Sequence, residues 1–246
     1  MNLQFSGNRA LITGGSSDLA ISLAGHMITA GLFPILTYRS EYGLNHISES
    51  LKAFDGKYSS VYLDFSDRNS LGSALRDTAS VDFLVDFVQG DFESLIASAD
   101  EDDVYRYFAE NISFRAELVK KVARIMLAKK KGRLIYVSSS AASKPNPGQG
   151  FYAAAKLASE ALYRNLGLEL GGHGVTTVTL RPGYIDEGRG KAFLKTHGPE
   201  VIGRVPIKRA LCAAEIAETI LFYLSDSAGG FNATEVSVDG GLTAGK

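Results

Sequence analysis

The stretch "ALITGGSSDLA", residues 10–20, runs from an apolar strand-like segment through two glycines into a segment of helical character. Gly14 and Gly15 permit a tight turn, and Ser16 or Ser17 can cap the helix that follows. Such a turn presents backbone N–H groups and the positive end of a helix dipole, which together suit a dinucleotide pyrophosphate. The alternative is a glycine-rich connection between a strand and a helix that binds nothing.

The alternation of strand-like and helix-like segments continues to the end of the chain. Apolar runs such as "FPILTYR" (33–39), "VDFLVDFV" (81–88) and "GRLIYVSS" (132–139) are separated by segments of helical spacing such as "LAISLAGHMITAG" (19–31). Apolar strands joined by crossover helices predict a parallel sheet covered on both faces. We therefore expect an α/β fold in which residues 1–246 form one Rossmann-type, doubly wound domain that binds ligands beyond the carboxyl ends of its strands.

The composition excludes several classes of function. The formal net charge of −1 over 246 residues creates no field that would attract nucleic acid or an anionic membrane, so we expect neither partner. Cys212 is the single cysteine and the four histidines are scattered, so neither an internal disulfide nor a metal site is expected. Residues 1–15 lack the features of a signal peptide, which predicts a cytoplasmic protein.

The stretch "GFYAAAKLASEALYRNLG" (150–167) places Tyr152 four residues before Lys156 at the start of a predicted helix. In a chain with eleven tyrosines this spacing arises often by chance, so it decides nothing alone. Ser139 ends the preceding strand, where it can reach the ligand crevice. A serine at a strand end is also a common turn former, so its function stays open at this point.

Together, these motifs resemble the short-chain dehydrogenase/reductase family. They follow one order over nearly the whole chain: the glycine turn, Ser139, the Tyr152/Lys156 pair, "RPG" (181–183) and "VSVDGG" (236–241). Within that family the arrangement is most similar to the 3-oxoacyl-[acyl-carrier-protein] reductases. The resemblance implies an NAD(P)-dependent oxidoreductase.

The resemblance also implies roles for individual residues. Tyr152 is the expected acid/base, Lys156 its partner, Ser139 the hydroxyl that orients the carbonyl, and Asn111 the residue that completes a proton relay through water. A phenol has an ordinary pKa of ~10, and we expect the Lys156 ammonium to favour the phenolate. Besides Tyr152 and Lys156, the implied cofactor-binding residues are Gly14, Ser16, Ser17, Asp18, Leu19, Arg39, Ser40, Asp64, Phe65, Pro182, Gly183 and Ile185.

The end of the second strand, "LTYRS" (36–40), bears on the choice of cofactor. NAD-specific sites place an acidic side chain there to bind the ribose 2′-hydroxyl. This chain has Arg39 and Ser40 instead, and a guanidinium makes strong charge-assisted bonds with a 2′-phosphate. NADP(H) is therefore favoured over NAD(H), although Glu41 follows directly and Arg39 can also be read as a solvated charge.

Three departures from the family pattern stand out. Asp18 and Ala20 replace glycines of the usual turn; Asp18 would repel a pyrophosphate if it pointed inward and would complement the helix dipole if it pointed outward. Residues 86–90, "DFVQG", stand where the family carries Asn-Asn-Ala-Gly, which puts the support of Asn111 in doubt. Glu187 stands about where a threonine commonly meets the nicotinamide carboxamide.

The predicted function is NADP(H)-dependent hydride transfer to a ketone, or from a secondary alcohol, with a 3-oxoacyl thioester as the main candidate. The altered residues 86–90 motivate the alternative of a non-catalytic NADP(H)-binding sensor. Another small carbonyl or an enoyl substrate is a further alternative, although the Tyr152/Lys156 spacing favours carbonyl chemistry.

A substrate carried on acyl-carrier protein would need a docking surface. Residues 129–131, three lysines, lie near the place where the carrier-dependent reductases receive their acidic partner. They also simply complement a helix C-terminus. His173 stands where those enzymes offer an arginine, which weakens the case for a carrier protein.

Residues 183–206, "GYIDEGRGKAFLKTHGPEVIGRVP", are rich in glycine and charge. We predict a long loop here that serves as a substrate lid. The predicted helix over about 100–131 and the Tyr152 helix carry apolar or small residues beyond one stripe, including Ala158. Because the resemblance implies that such helices pair around a two-fold axis, we expect a homotetramer or homodimer.

Overall fold

The structure is a computed structural model that describes residues 3–78 and 80–244. Its centre is one sheet of seven parallel strands in the order β3-β2-β1-β4-β5-β6-β7. This order confirms the predicted doubly wound α/β fold. The strands are β1 (Arg9–Thr13), β2 (Phe33–Tyr38), β3 (Ser59–Tyr62), β4 (Phe83–Asp86), β5 (Gly132–Val137), β6 (Val175–Pro182) and β7 (Thr234–Val238).

Within residues 3–78 and 80–244, eight α-helices connect and flank the strands. The predicted long helix over about 100–131 consists of α4 and α5, joined by a π-helical turn over Ala109–Ser113. The helices are α1 (Asp18–Thr29), α2 (Glu41–Ser50), α3 (Arg68–Asp77), α4 (Glu101–Phe108), α5 (Phe114–Lys129), α6 (Gly150–Leu170), α7 (Gly188–Gly203) and α8 (Ala213–Leu224).

The sheet separates two hydrophobic layers. Successive side chains of a strand point to opposite faces, so Leu11 and Ile12 enter different layers. The layer of Ile12 includes α1 and α8 through residues such as Leu23 and Ile220. The layer of Leu11 includes α3, α5 and α6, with Tyr163 of α6 fully buried. Burial of both faces explains why the strands are almost continuously apolar.

The strand order reverses between β1 and β4, which is where doubly wound proteins open a ligand crevice. The register brings Thr13 of β1 opposite Asp86 of β4, and Asp86 opposite Tyr136 of β5. These residues stand near the carboxyl ends of their strands. The crevice therefore lies above a row of polar side chains.

The prediction of a long loop over residues 183–206 was wrong, because most of the segment forms helix α7. The less exposed positions of α7 follow helical spacing and are Gly190, Phe193, Leu194, Gly198, Val201 and Ile202. Two of the six are glycines, so the apolar stripe was hidden in the sequence. A Cβ at position 190 would lie 2.2 Å from the carbonyl oxygen of Ile185, which explains one of these glycines.

In the described part of the chain, no helix combines the length and apolar character needed to cross a membrane. Among the same residues, no cluster of histidine, cysteine, aspartate or glutamate side chains could hold a metal ion.

Candidate active site

The turn after β1 is built around two glycines. Gly14 has a φ of 65°, a left-handed conformation that favours glycine. A Cβ at Gly15 would lie 2.6 Å from the Cβ of Leu36 and 2.7 Å from the backbone nitrogen of Thr37. Ser17 caps α1, because its hydroxyl accepts a hydrogen bond from the N–H of Ala20. The turn therefore sits tightly against β2 and leaves the start of α1 facing the crevice.

A cleft of about 720 Å³ opens beside this turn, at the reversal of strand order. Eight predicted residues line it: Gly14, Ser16, Ser17, Arg39, Ser40, Asp64, Phe65 and Asn111. The sequence analysis missed several others, among them Thr37, Leu63, Val88, Gln89, Asp91, Glu110 and Arg189. Of these, Arg189 was hidden because its segment was taken for a loop.

Two of the predicted cofactor residues face away from the cleft wall. The carboxylate of Asp18 lies 2.9 Å from Nε2 of His46, so it points toward α2. Leu19 packs against the hydrophobic layer beneath the turn. Ala20 is fully buried, which explains why a small residue is needed there. The direction of Asp18 agrees with the alternative in which it complements the helix dipole.

At the end of the cleft near β2 and β3, some residues also stabilise the local structure. The hydroxyl of Ser40 caps α2 by accepting a hydrogen bond from the N–H of Gly43 at 3.2 Å. Asp64 accepts hydrogen bonds from the N–H and hydroxyl of Ser66, at 2.9 and 2.8 Å. Phe65 stacks on Phe114 with ring centroids 4.4 Å apart. Arg39 lines the same end of the cleft.

Ser139, Tyr152 and Lys156 meet near the carboxyl end of β5. Ser139 follows that strand; its hydroxyl accepts a hydrogen bond from the N–H of Ala141 at 3.1 Å and lies close enough to Tyr152 to lower the pKa of its phenol. The Nζ atom of Lys156 lies 5.7 Å from the ring centroid of Tyr152 and donates a hydrogen bond to the carbonyl of Val137 at 2.8 Å. The structure thus brings three of the four predicted catalytic side chains together.

Burial dominates the electrostatics of this group. It raises the pKa of Tyr152, although the nearby hydroxyl of Ser139 opposes the shift. Lys156 is only 2% exposed, and burial together with the nearby charge of Arg115 holds its pKa well below the ordinary range. In the cofactor-free protein, desolvation disfavours the charged forms of both side chains and so opposes the effect expected of a Lys156 ammonium on the phenolate. The role of the pair in proton transfer stays a prediction.

The fourth predicted residue, Asn111, lies in the π-helical turn between α4 and α5. Its Oδ1 accepts a hydrogen bond from the N–H of Gly90 at 2.7 Å, and its Nδ2 donates to the carbonyl of Tyr107 at 2.8 Å. Its own carbonyl accepts a hydrogen bond from the guanidinium of Arg115. Turns of this kind are frequent at functional sites. The role of Asn111 in a water relay stays a prediction.

The remaining predicted cofactor residues follow β6 rather than line the cleft. Pro182 ends that strand, and the N–H of Gly183 donates to the carbonyl of Val238 at 3.0 Å. A Cβ at Gly183 would lie 2.9 Å from the Cα of Asp239, so the glycine permits a close approach of two backbones. Ile185 forms an isolated bridge with Leu211. These residues occupy the strand end next to that of Ser139.

The altered segment after β4 is strongly anchored. Asp86 is fully buried and pairs with the buried Arg115. Gln89 donates from Nε2 to the hydroxyl of Tyr107 at 2.6 Å, whereas its Oε1 is buried and has no partner among the described residues. The segment that departs from the family sequence is therefore held by contacts to Arg115 and Tyr107.

Comparison with known proteins identifies the relatives of this fold and site. A family model described as enoyl-(acyl carrier protein) reductase matches residues 15–243. The 3-oxoacyl-[acyl-carrier-protein] reductases of Salmonella typhimurium and Escherichia coli are each 30% identical over 244 residues, which cover 98% of this chain and 99% of theirs. A solved short chain dehydrogenase/reductase family protein, 27% identical, superposes with a TM-score of 0.88 over the full length of both chains.

Proposed function

Because the chain belongs to the short-chain dehydrogenase/reductase family, we propose that it reduces a ketone with NADP(H), and that the ketone is a 3-oxoacyl thioester. The observation that carries this proposal is the meeting of three side chains at the end of β5: Lys156 lies against the ring of Tyr152, and Ser139 stands beside that tyrosine. Asp91 and Arg189, which line the cleft, both act on the pKa of Tyr152. Tyr152, the proposed acid, is therefore close enough to these two charged side chains for them to shift its pKa.

The residues of the cleft fit a dinucleotide. Gly14 and Gly15 let the turn pack closely against the segment after β4 and against β2, and Ser16 and Ser17 at the start of α1 line the cleft, where backbone N–H groups suit a phosphate. The unpartnered Oε1 of Gln89 supplies an acceptor for a ribose hydroxyl. Arg39 supplies a guanidinium for a 2′-phosphate at the far end. These features support NADP(H) as the cofactor.

The chemistry requires a hydride and a proton. When bound, the reduced nicotinamide supplies the hydride to the carbonyl carbon. Tyr152 donates its hydroxyl proton to the carbonyl oxygen, so one O–H bond breaks as another forms. The raised pKa of Tyr152 keeps it protonated before the reaction, which suits a proton donor. The hydroxyl of Ser139 stabilises the charge that develops on the same oxygen.

The experiment follows NADPH oxidation with a panel of acetoacetyl thioesters, diketones and quinones. Turnover of the thioesters with NADPH supports the proposed function. Tight NADPH binding without turnover across the panel would instead favour the non-catalytic sensor. Preferential turnover of diketones or quinones would overturn the substrate class while leaving the reductase assignment in place.

The names of the relatives support a substrate carried on acyl-carrier protein. The three lysines at 129–131 give less support to a docking surface for the carrier protein. The Nζ of Lys129 lies 3.0 Å from the carboxylate of Asp82 and 2.9 Å from the hydroxyl of Ser80. Lys130 ends α5 in a left-handed conformation. A lower KM for an acetoacetyl carrier protein than for the matched coenzyme A thioester would support carrier binding, and equal values would contradict it.

Self-association is part of the proposal. On α6, Leu157 and Leu168 are 46% and 68% exposed, and Ala154 is exposed beside them. Scattered apolar residues are normal on a surface, but three on one helix suit pairing with a second copy. Sedimentation equilibrium should show a dimer or tetramer that Ala158→Asp dissociates. A single-chain mass for the unmodified protein would overturn this part.

A further inference from the structure

The end of β4 carries an ion pair in the interior of the protein. The side chains of Asp86 and Arg115 are both 0% exposed, and Nε of Arg115 donates to Oδ2 of Asp86 at 2.8 Å. A buried pair is often no more stabilising than apolar side chains of similar volume. Stability alone therefore does not explain a buried pair beside the proposed active site, and the contacts that the two side chains make must be considered.

The carboxylate of Asp86 connects four segments. Its Oδ1 accepts hydrogen bonds from the hydroxyl of Thr13 at 2.6 Å and from the N–H of Val88 at 3.2 Å. Its Oδ2 accepts from Arg115 and from the hydroxyl of Tyr163 at 3.0 Å. The end of β1, the segment after β4, α5 and α6 are thus tied to one carboxylate.

The guanidinium of Arg115 extends these connections to the residues around the cleft. It donates to the carbonyl of Asn111 in the π-helical turn and to the carbonyl of Val88 after β4. It also donates to the hydroxyl of Ser159 on α6 at 3.1 Å. Only a planar group with several N–H donors can reach all these acceptors, and the single ammonium of a lysine cannot.

Arg115 is also linked to Lys156 through an aromatic ring. The guanidinium carbon lies 5.1 Å from the ring centroid of Tyr136, and Nζ of Lys156 lies 5.0 Å from the same centroid. Tyr136 in turn stacks on Tyr163, with centroids 5.0 Å apart. A movement of Arg115 would therefore disturb the ring against which the proposed catalytic lysine packs.

We propose that Arg115, held by Asp86, is a positioning residue that fixes the Asn111 turn and residues 88–90 relative to the α6 helix carrying Tyr152 and Lys156. It touches neither the substrate nor the cofactor and acts through these neighbours. The inference rests on the proposed function of Tyr152 and Lys156. The family's Asn-Asn-Ala-Gly is absent here, and this ion pair supplies the support in its place.

The test compares Arg115→Lys with the paired variant Asp86→Asn/Arg115→Met, which removes both charges together. Arg124→Lys, an exposed arginine on the same helix, is the matched control. The first readout is hydrogen exchange of the cofactor-free protein in the peptide containing Gly90, whose N–H reports the position of Asn111. We expect faster exchange there in Arg115→Lys and no change in Arg124→Lys.

The second readout separates positioning from stability. A displacement of about 1 Å at an active site can lower turnover on the order of a hundredfold, so we expect a fall of that size in kcat for Arg115→Lys and for the paired variant. Because residues 88–90 line the cofactor cleft, the KM for NADPH should rise in both, but by a smaller factor than the fall in kcat. The paired variant should recover most of the Tm that Arg115→Met alone loses, because it leaves no unpaired buried charge.

Unchanged exchange at Gly90 in Arg115→Lys would overturn the proposal, as would a paired variant with wild-type kcat. If the unmodified protein turns over no substrate, the proposed function fails, and the exchange measurement still decides whether Arg115 fixes the Asn111 turn. The two failures are therefore distinguishable.

Discussion

The turn after β1 (residues 14–17) and the segment after β4 (residues 86–90) lie at neighbouring strand ends and line the same cleft, yet different interactions hold them. The turn is defined by its own backbone: Gly14 adopts a left-handed conformation, and Gly15 leaves room for β2. The segment after β4 is defined by partners far away in the chain. Asp86 binds Thr13, Arg115 and Tyr163, which are 73, 29 and 77 residues distant.

This difference explains which region can vary. A turn that requires glycine for steric reasons tolerates almost no substitution at those positions. A segment held by side-chain partners can change its sequence if the partners change with it. The cleft thus combines one wall held by its own backbone geometry with another held by side chains from distant parts of the chain.

The largest expected effect is that of Tyr152→Phe, which tests whether the turn and the segment after β4 line the cleft of a catalytic site. Tyr152→Phe should lower kcat on the order of 10²–10⁴-fold, because the transferable proton is lost. NADPH affinity, measured by fluorescence titration, should stay nearly unchanged. A variant that keeps full activity would show that Tyr152 is not the acid and would separate the cleft from the proposed chemistry.

The next effect tests the rigidity of the turn. Gly15→Ala should destabilise the protein by about 1–3 kcal/mol, because the new Cβ would overlap Leu36 and the backbone of Thr37. Chemical denaturation measures this change. The matched control is Gly25→Ala within α1, where the nearest atom is 3.8 Å away and alanine should stabilise the helix by up to about 1 kcal/mol. Equal effects at the two positions would contradict the steric explanation.

A smaller effect tests the adenosine end of the cleft. Arg39→Ala should weaken NADPH binding on the order of tenfold to a hundredfold, as expected for loss of a hydrogen bond to a charged group. Binding of NADH should change little, because it has no 2′-phosphate. Titration of both cofactors against both proteins measures this selectivity. If both cofactors lose affinity equally, Arg39 does not contact the phosphate.

The smallest effect concerns Asp18 at the edge of the turn. The His46–Asp18 pair is partly exposed, so His46→Ala should change stability by less than about 1 kcal/mol. Without His46, the Asp18 carboxylate can turn toward the phosphates, so NADPH should bind slightly more weakly at low salt. Adding Asp18→Asn should restore binding. A loss as large as that of Arg39→Ala would show that the pair has a stronger role than its exposure indicates.

The sequence predicted those parts of the fold and site that depend on local pattern. Strand and helix alternation predicted the doubly wound sheet, and the glycine turn, Ser139 and the Tyr152/Lys156 pair marked residues that the structure brings to the ends of β1 and β5. The alternation and the glycine turn depend on residues close together in the chain. The Tyr152/Lys156 pair and Ser139 were identified only from the order of all the motifs over nearly the whole chain.

The parts that failed depend on contacts between distant residues. Helix α7 was taken for a loop because Gly190 and Gly198 occupy its packed face. The burial of Lys156 was not predicted, because spacing along a helix does not reveal desolvation. The partners of Asp86 were invisible because Arg115 reads as one more charged residue on a helix. An arginine among apolar neighbours in "NISFRAELV" (111–119) was the one available signal.

The Asp86–Arg115 pair constrains how this chain can evolve. Replacing either residue alone strands a charge in the interior, which typically costs about 3–5 kcal/mol, whereas replacing both together can be nearly neutral. Single-step mutational paths away from the pair therefore cross a state of low fitness. Among close relatives of this chain, the aspartate and the arginine should be inherited together or lost together, and their joint presence would mark a lineage within the family.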